Sequence, residues 1–323
     1  MRSLAGFAAA LLGAGRLAQA VQVLQLYQFP NATQFIENIA IRRNGELLLS
    51  TFDDGRLYAL DPLAKDPEPR VVAKVPDATG LTGIAEIEPD MFAVSCGINN
   101  LTDFSMVEGS AKLVVVDFNK VTDGVTPTVK TFFAMIPNAR MLNGMAPLPY
   151  IRSVLMSADS KNGRVFRTDY FKNGKSDVAF EDRKLAPGKD PKLATLGING
   201  VKIVHMWLYF TNSERQTIGR LRIDEFGNRK GPVEEIVRLP ASSGLMPDDF
   251  SMFYNGTMFV AAHPNSVLKI LPDGTWTALV GGDSAAKLDG PTSTALTRDG
   301  KTLYVVTGGT GSGRGGQVVA VTL

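Results

Sequence analysis

Cysteine is nearly absent: Cys96 stands alone among 323 residues. No disulfide forms within the chain, and a cysteine-built zinc site is excluded. Histidine is almost as scarce, with only His205 and His263. Two histidines without a cysteine cluster do not build a His-rich zinc centre, and neither sits at a nucleophile–base spacing from Cys96. Cys96 therefore reads as a small buried residue. Long apolar runs are also missing. The run at residues 4–12 is far shorter than the roughly 20 residues that span a bilayer, so no stable membrane anchor is expected. No Lys/Arg cluster offers a nucleic-acid surface. There is no Walker motif and no dinucleotide glycine fingerprint. Long amphipathic helices alternating with strands are lacking too, which argues against α/β folds.

What is present divides into a short leader and a repetitive body. Residues 1–20, MRSLAGFAAALLGAGRLAQA, combine an early Arg, an apolar stretch and a small-x-small end, the form of a secretory signal peptide. Residues 21–323 then form a single domain routed through the secretory pathway, secreted or vesicular. Loss of Arg2 and Arg16 turns the balance of 34 basic and 32 acidic residues into 32 of each. Asn31, Asn100 and Asn255 begin Asn-x-Thr acceptor patterns for N-glycosylation.

The body repeats one unit six times. ENIAIRRNGELLLSTFDDGRLYALD, from Glu37, contains three short strands separated by Asn44-Gly45 and Asp54-Gly55, both strong hairpin signals. Comparable units start near residues 83, 143, 199, 248 and 290. Outer strands fit between them at 69–75, 127–135 and 234–239. A period of roughly 40–60 residues with several short strands per repeat predicts an all-β, six-bladed propeller of four-stranded blades around a central channel. A sandwich would not repeat six equivalent starts. VQVLQLYQF near the N-terminus is placed to close the ring against the last blade, removing exposed sheet edges.

Each unit starts with a polar residue or glycine. The innermost strands line the channel, so their entries converge: Glu37 with Asn38, Glu86, Asn143, Asn199, and Asp248 with Asp249. The sixth blade offers Asp289 and Thr292. Such groups hold a hard cation through oxygen, or bind a small molecule as a metal-free network, or satisfy backbone groups with water. Clustered buried polar groups are costly unless paired or occupied, which favours a pocket. Phe104, Met141, Trp207, Met246 and Phe250, with Phe35 and Met206, are candidate apolar walls, fitting a hydrophobic small molecule. His263 ends a second strand and is a candidate pocket contact; His205 is expected to be exposed. Asp159 and Asn212 are further candidates, with turn formation as their alternative role. The insertion at 98–109 is placed to form a rim.

These motifs resemble the SMP-30/gluconolactonase/LRE-like superfamily of six-bladed propellers, and within it a secreted fungal branch. The residues carrying the resemblance are Phe29-Pro30-Asn31, the stretch 37–47, GIAEIEPDMFAV at 83–94, LNGM at 142–145, ADSKNGRVFR at 158–167, the stretch 197–213, Asp248-Asp249-Phe250 and LYVVTGG at 303–309. The resemblance implies two activities. In the superfamily's lactonases a divalent cation such as calcium is held by residues matching Glu37, Asn143, Asn199 and Asp248 and polarises a lactone carbonyl. Here Asp248 is followed by Asp249 where lactonases usually carry glycine, and Glu37 by Asn38. The fungal branch includes hetero-Diels–Alderases of tropolone–sesquiterpenoid biosynthesis, which join an o-quinone methide to a humulene-type alkene without a metal or cofactor. That activity is the first expectation, with Glu37, Asn143, Asn199 and Asp248 as catalytic residues. A metal-dependent lactonase or esterase and a non-catalytic ligand-binding propeller are the alternatives. No coiled coil or uncovered edge points to an oligomeric state.

Overall fold

The computed structural model describes residues 21–121, 127–172, 174–188, 196–281, 287–309 and 313–323. The leader proposed for residues 1–20 lies outside them. Six four-stranded antiparallel sheets account for nearly all the regular structure. The one helical element among the described residues is a single 3-10 turn, Ala241–Ser243, and no helix there is long and apolar enough to cross a membrane.

Each sheet is one blade. The innermost strands are Ile36–Ile41, Gly80–Glu88, Leu142–Pro147, Ile198–Val204, Met246–Met252 and Pro291–Leu296. The hairpin signals fall where expected: Gly45, Gly55, Gly256 and Gly300 all adopt positive φ, which glycine reaches at no steric cost. The first strand, Val23–Gln28, pairs antiparallel with the last, Gln317–Thr322, and becomes the outer strand of blade six. The two ends of the chain therefore lock the ring, as the sequence predicted.

Apolar side chains fill the wedges between neighbouring blades. Leu48, Leu57, Leu81, Val94 and Cys96 form one such layer between blades one and two, all fully buried. Burying each such aliphatic side chain contributes roughly 1.5–3 kcal/mol. Burial pushes the Cys96 thiol up to about 12, so it stays protonated and unreactive.

One feature of these strands builds the site. All six innermost strands lose register with their neighbour near the entry, at Ile36/Asn38, Leu81/Ile84, Leu142/Met145, Ile198/Val201, Pro247/Phe250 and Pro291/Ser293. Such bulges bend a strand and re-aim its side chains. They also free peptide carbonyls, and neighbouring blades supply hydroxyl donors to them. Ser50 Oγ donates to the Thr82 carbonyl at 2.6 Å, Thr211 Oγ1 to Asp248 at 2.6 Å and Thr292 Oγ1 to Ile36 at 2.8 Å. At the bulges the strands crowd together. A Cβ on Gly83 would lie 2.2 Å from the Asn143 carbonyl oxygen, which explains glycine there.

Candidate active site at the channel mouth

The bulges place Glu37, Asn143, Asn199 and Asp248 on the floor of one pocket at the mouth of the channel, a cavity of about 160 Å³. Its walls are Phe35, Phe52, Phe104, Met141, Leu196 and Met246, with Ser213 and His263 beside the floor. Phe35 and Phe52 stack, with centroids 5.1 Å apart and planes 14° off parallel. Both rings are fitted against backbone: a Cβ on Gly308 would meet Phe35 at 2.2 Å, and one on Gly80 would meet Phe52 at 2.6 Å. Phe104 comes from the insertion, which forms a small hairpin of Asn99–Asn100 and Ser105–Met106 at the rim.

The floor is polar and incompletely paired. Glu37 Oε2, Asn143 Oδ1 and Asn199 Oδ1 are buried without a hydrogen-bond partner in the protein. Asn199 Nδ2 donates to Ser213 Oγ at 3.0 Å, and Ser213 Oγ donates to the Pro247 carbonyl at 2.8 Å. His263 Nε2 lies 3.0 Å from Asp248 Oδ2. One layer deeper, Lys202 Nζ donates to Asp249 Oδ1 at 2.7 Å.

Three carboxyls thus share the channel with two basic side chains, and Glu37 is the one without a basic group in contact. Burial first, then the charges of Asp248 and Asp249, push its pKa well above the ordinary carboxylate range. Burial also raises Asp248, opposed by its hydrogen bond to His263. Glu37 is therefore held toward its protonated form, in which it has an O–H to donate. This has a consequence for stability. A raised native pKa means that the folded state holds a proton the unfolded state releases, so stability falls as pH rises from about 4.5 through the native pKa of Glu37. The slope is up to about 1.4 kcal/mol per pH unit. Glu37→Gln removes this term. The melting temperature of the variant is expected to gain on the wild type as pH rises across that window, and parallel curves would show that Glu37 ionises freely.

The floor also has the chemistry of a hard-cation site, since Glu37, Asn143, Asn199 and Asp248 all present oxygen. Three of those oxygens lack partners. Among the described residues no three His, Cys, Asp or Glu side chains gather in a metal-binding group, so a cation here would depend on the two amides.

Several expected contacts lie elsewhere. The innermost strands run from the mouth to the far face and the second strands return. Glu86, late in its strand, therefore reaches the far end, 3.2 Å from Arg43. Trp207 begins a second strand and also sits away from the mouth, under the Arg220 guanidinium at 4.3 Å. Asn38 and Asp249 follow the bulge residues and turn away from the pocket; Ser293 Oγ lies 3.1 Å from both side chains. Phe250 is fully buried between blades four and five. Met206 packs against the apolar layer of blades three and four. His205 is exposed as expected.

Asp159 accepts from the backbone N–H groups of Arg140 and Met141, and Asn212 donates to the carbonyls of Lys184, Leu185 and Ala186. Both hold loops rather than line the pocket. Thr292 occupies the blade-six bulge, and its hydroxyl is spent on the Ile36 carbonyl. Asn31, Asn100 and Asn255 are exposed. Each accepts from the backbone N–H of the Thr two residues on, an Asx turn. Phe52, Leu196 and Ser213 were not anticipated. Phe52 and Ser213 directly follow second strands, as His263 ends one.

No protein-family model matches the chain. Two curated relatives do. A protein of Phoma sp named "Putative hetero-Diels-Alderase" is 27% identical over 309 residues, covering 88% of this chain and 85% of the relative. One of Sarocladium schorii, "Putative hetero-Diels-Alderase asR5", is 27% identical over 311 residues, covering 87% and 76%. Among solved structures, luciferin-regenerating enzyme matches with TM-score 0.63 at 16% identity, over 94% of this chain and 95% of that one. The calcium-binding regucalcin of Agrobacterium tumefaciens matches with TM-score 0.59 at 15% identity, over 92% and 94%. A gluconolactonase of Xanthomonas campestris matches with TM-score 0.63 at 11% identity, over 94% and 90%. The chain is thus a six-bladed propeller that shares its fold with luciferin-regenerating enzyme, regucalcin and a gluconolactonase, and it is similar along most of its length to two proteins named "Putative hetero-Diels-Alderase".

Proposed function

We propose that the chain is a metal-independent hetero-Diels–Alderase that joins an o-quinone methide, derived from a tropolone or related aromatic, to a humulene-type alkene. The observation that carries this reading is Glu37: a buried acid, partnerless at Oε2, on the floor of an apolar-walled pocket. The names of the two relatives point the same way. In the cycloaddition one C–C and one C–O bond form as π bonds are consumed, and nothing leaves. Negative charge grows on the heterodiene oxygen as the bonds form. The Glu37 O–H donates to that oxygen, and the Asn143 and Asn199 side chains fix its position. A donor aimed at developing charge in a water-poor site lowers the barrier. The Phe35–Phe52 pair offers a flat wall for the planar ring. The cavity of about 160 Å³ takes the heterodiene, and the larger alkene enters from the open mouth. Holding both in register supplies the proximity term.

A second reading rests on the three partnerless oxygens. Glu37, Asn143, Asn199 and Asp248 would hold a divalent cation, which when bound supplies a Lewis acid for a lactone carbonyl.

The test offers the purified chain a hydroxymethyl-tropolone precursor with humulene, and separately a lactone panel. A protein-dependent adduct of one hand is expected, about tenfold slower with Asn143→Ala or Asn199→Ala and unchanged with His205→Ala. Lactone hydrolysis with only background, racemic adduct would overturn the proposal in favour of the second reading.

A further inference from the structure

The far end of the channel holds a larger chamber than the mouth, about 710 Å³, well within the range of small-molecule sites. A layer of buried polar side chains separates the two. Asn38, Asp249 and Ser293 meet across the channel at 3.1 Å, and Lys202 joins them through Asp249. Below that layer, the residues two positions beyond Asn38, Gly83, Gly144 and Asp249 are Ala40, Ala85, Ala146 and Ser251, all lining the chamber. Blade four breaks the pattern: the residue two beyond Gly200 is Lys202. Small walls thus leave open a space into which a single ammonium projects from the roof. Lys202 Nζ is held at 2.7 Å by Asp249 and lies 5.2 Å from the centroid of the Phe250 ring. Two of its three N–H groups remain for a ligand.

The charge at the chamber mouth has the same sign. Arg152 and Arg298 line it, and among the described residues neither has an ion-pair partner. Arg152 is anchored by donating to the Glu86 and Ile87 carbonyls, which leaves its charge unmet. Among the described residues lining the chamber the one carboxylate, Glu86, is already paired with Arg43. Tyr150 and Tyr254 stand at the rim, 79% and 83% exposed. We infer that this chamber is a second binding site, for a small organic anion with a flat apolar body. Its anionic head is received by Lys202 and its body lies among the small side chains and the rim tyrosines. The mouth pocket offers such a ligand no free cation among its described lining residues, because His263 already meets Asp248 there.

The probe is 2-naphthoate, with neutral 2-naphthamide as its isostere, titrated calorimetrically into the full chain. Naphthoate is expected to bind at one site at least tenfold more tightly than naphthamide. Arg298→Glu, at an exposed position, should weaken naphthoate by about tenfold without disturbing the fold. Lys202→Met with Asp249→Asn, which removes both charges of the buried pair together, should abolish the preference for the anion. Asn143→Ala, in the mouth pocket, should leave naphthoate binding intact. No binding, equal affinity for the two probes, or loss with Asn143→Ala alone would overturn the inference. None of these outcomes depends on the reaction proposed for the mouth pocket.

Discussion

Glu37→Ala is expected to slow adduct formation by about 10²-fold, while Glu37→Gln slows it less than tenfold. The first figure is the usual effect of deleting one donor aimed at developing charge. The second follows because a glutamine amide still donates from the same position, though more weakly than an acid. The order of these two variants separates the two readings of the floor. If Glu37 served as a carboxylate ligand to a cation, glutamine would fail nearly as badly as alanine, since both lose the negative charge. Neither substitution threatens the fold: each removes a carboxyl whose ionised form is disfavoured by burial and by Asp248 and Asp249. Steady-state rates for the three proteins, measured by product mass and chiral chromatography, decide the matter.

Gly83→Ala is expected to cost about 3 kcal/mol of stability. Its Cβ would fall 2.2 Å from the Asn143 carbonyl oxygen, a backbone atom that cannot rotate away. Overpacking of this kind costs roughly 1–3 kcal/mol and sometimes more. Here the shift must pass into the bulge that aims Asn143 at the pocket, so activity should fall with stability. Gly231→Ala is the control. Its Cβ would meet nothing closer than Arg222 Cβ at 4.0 Å, and its φ is ordinary. Urea unfolding should find it within about 0.5 kcal/mol of wild type. A Gly83→Ala chain as stable as the control would mean that the innermost strands are not packed as closely as described.

The propeller was legible because its signals are local and repeated. Asn44-Gly45, Asn255-Gly256 and Asp299-Gly300 each force a hairpin, and six such units leave few other architectures. The first strand was legible for the complementary reason: a strand-like segment outside the sixfold count had one open edge to fill. The site was half legible. Glu37, Asn143, Asn199 and Asp248 were found because they recur at one register. Asn38 and Asp249 were misplaced because a bulge decides which of two adjacent residues faces the pocket, and no residue type marks a bulge uniquely. Trp207 and Phe250 were assigned to the walls from their size alone, whereas strand direction put one at the far end and the other between blades. The same rule of direction, applied to the ends of the second strands, would have found Phe52 and Ser213 beside His263.

The central claim is that Glu37 stands in the pocket as a neutral acid. Infrared difference spectroscopy of the wild type against Glu37→Gln reads this directly, through the carbonyl stretch of a protonated carboxylic acid. The account predicts such a band at neutral pH, present in wild type, absent in the variant and unchanged by millimolar calcium. A missing band, or one that vanishes when calcium is added, would contradict it and make Glu37 a carboxylate.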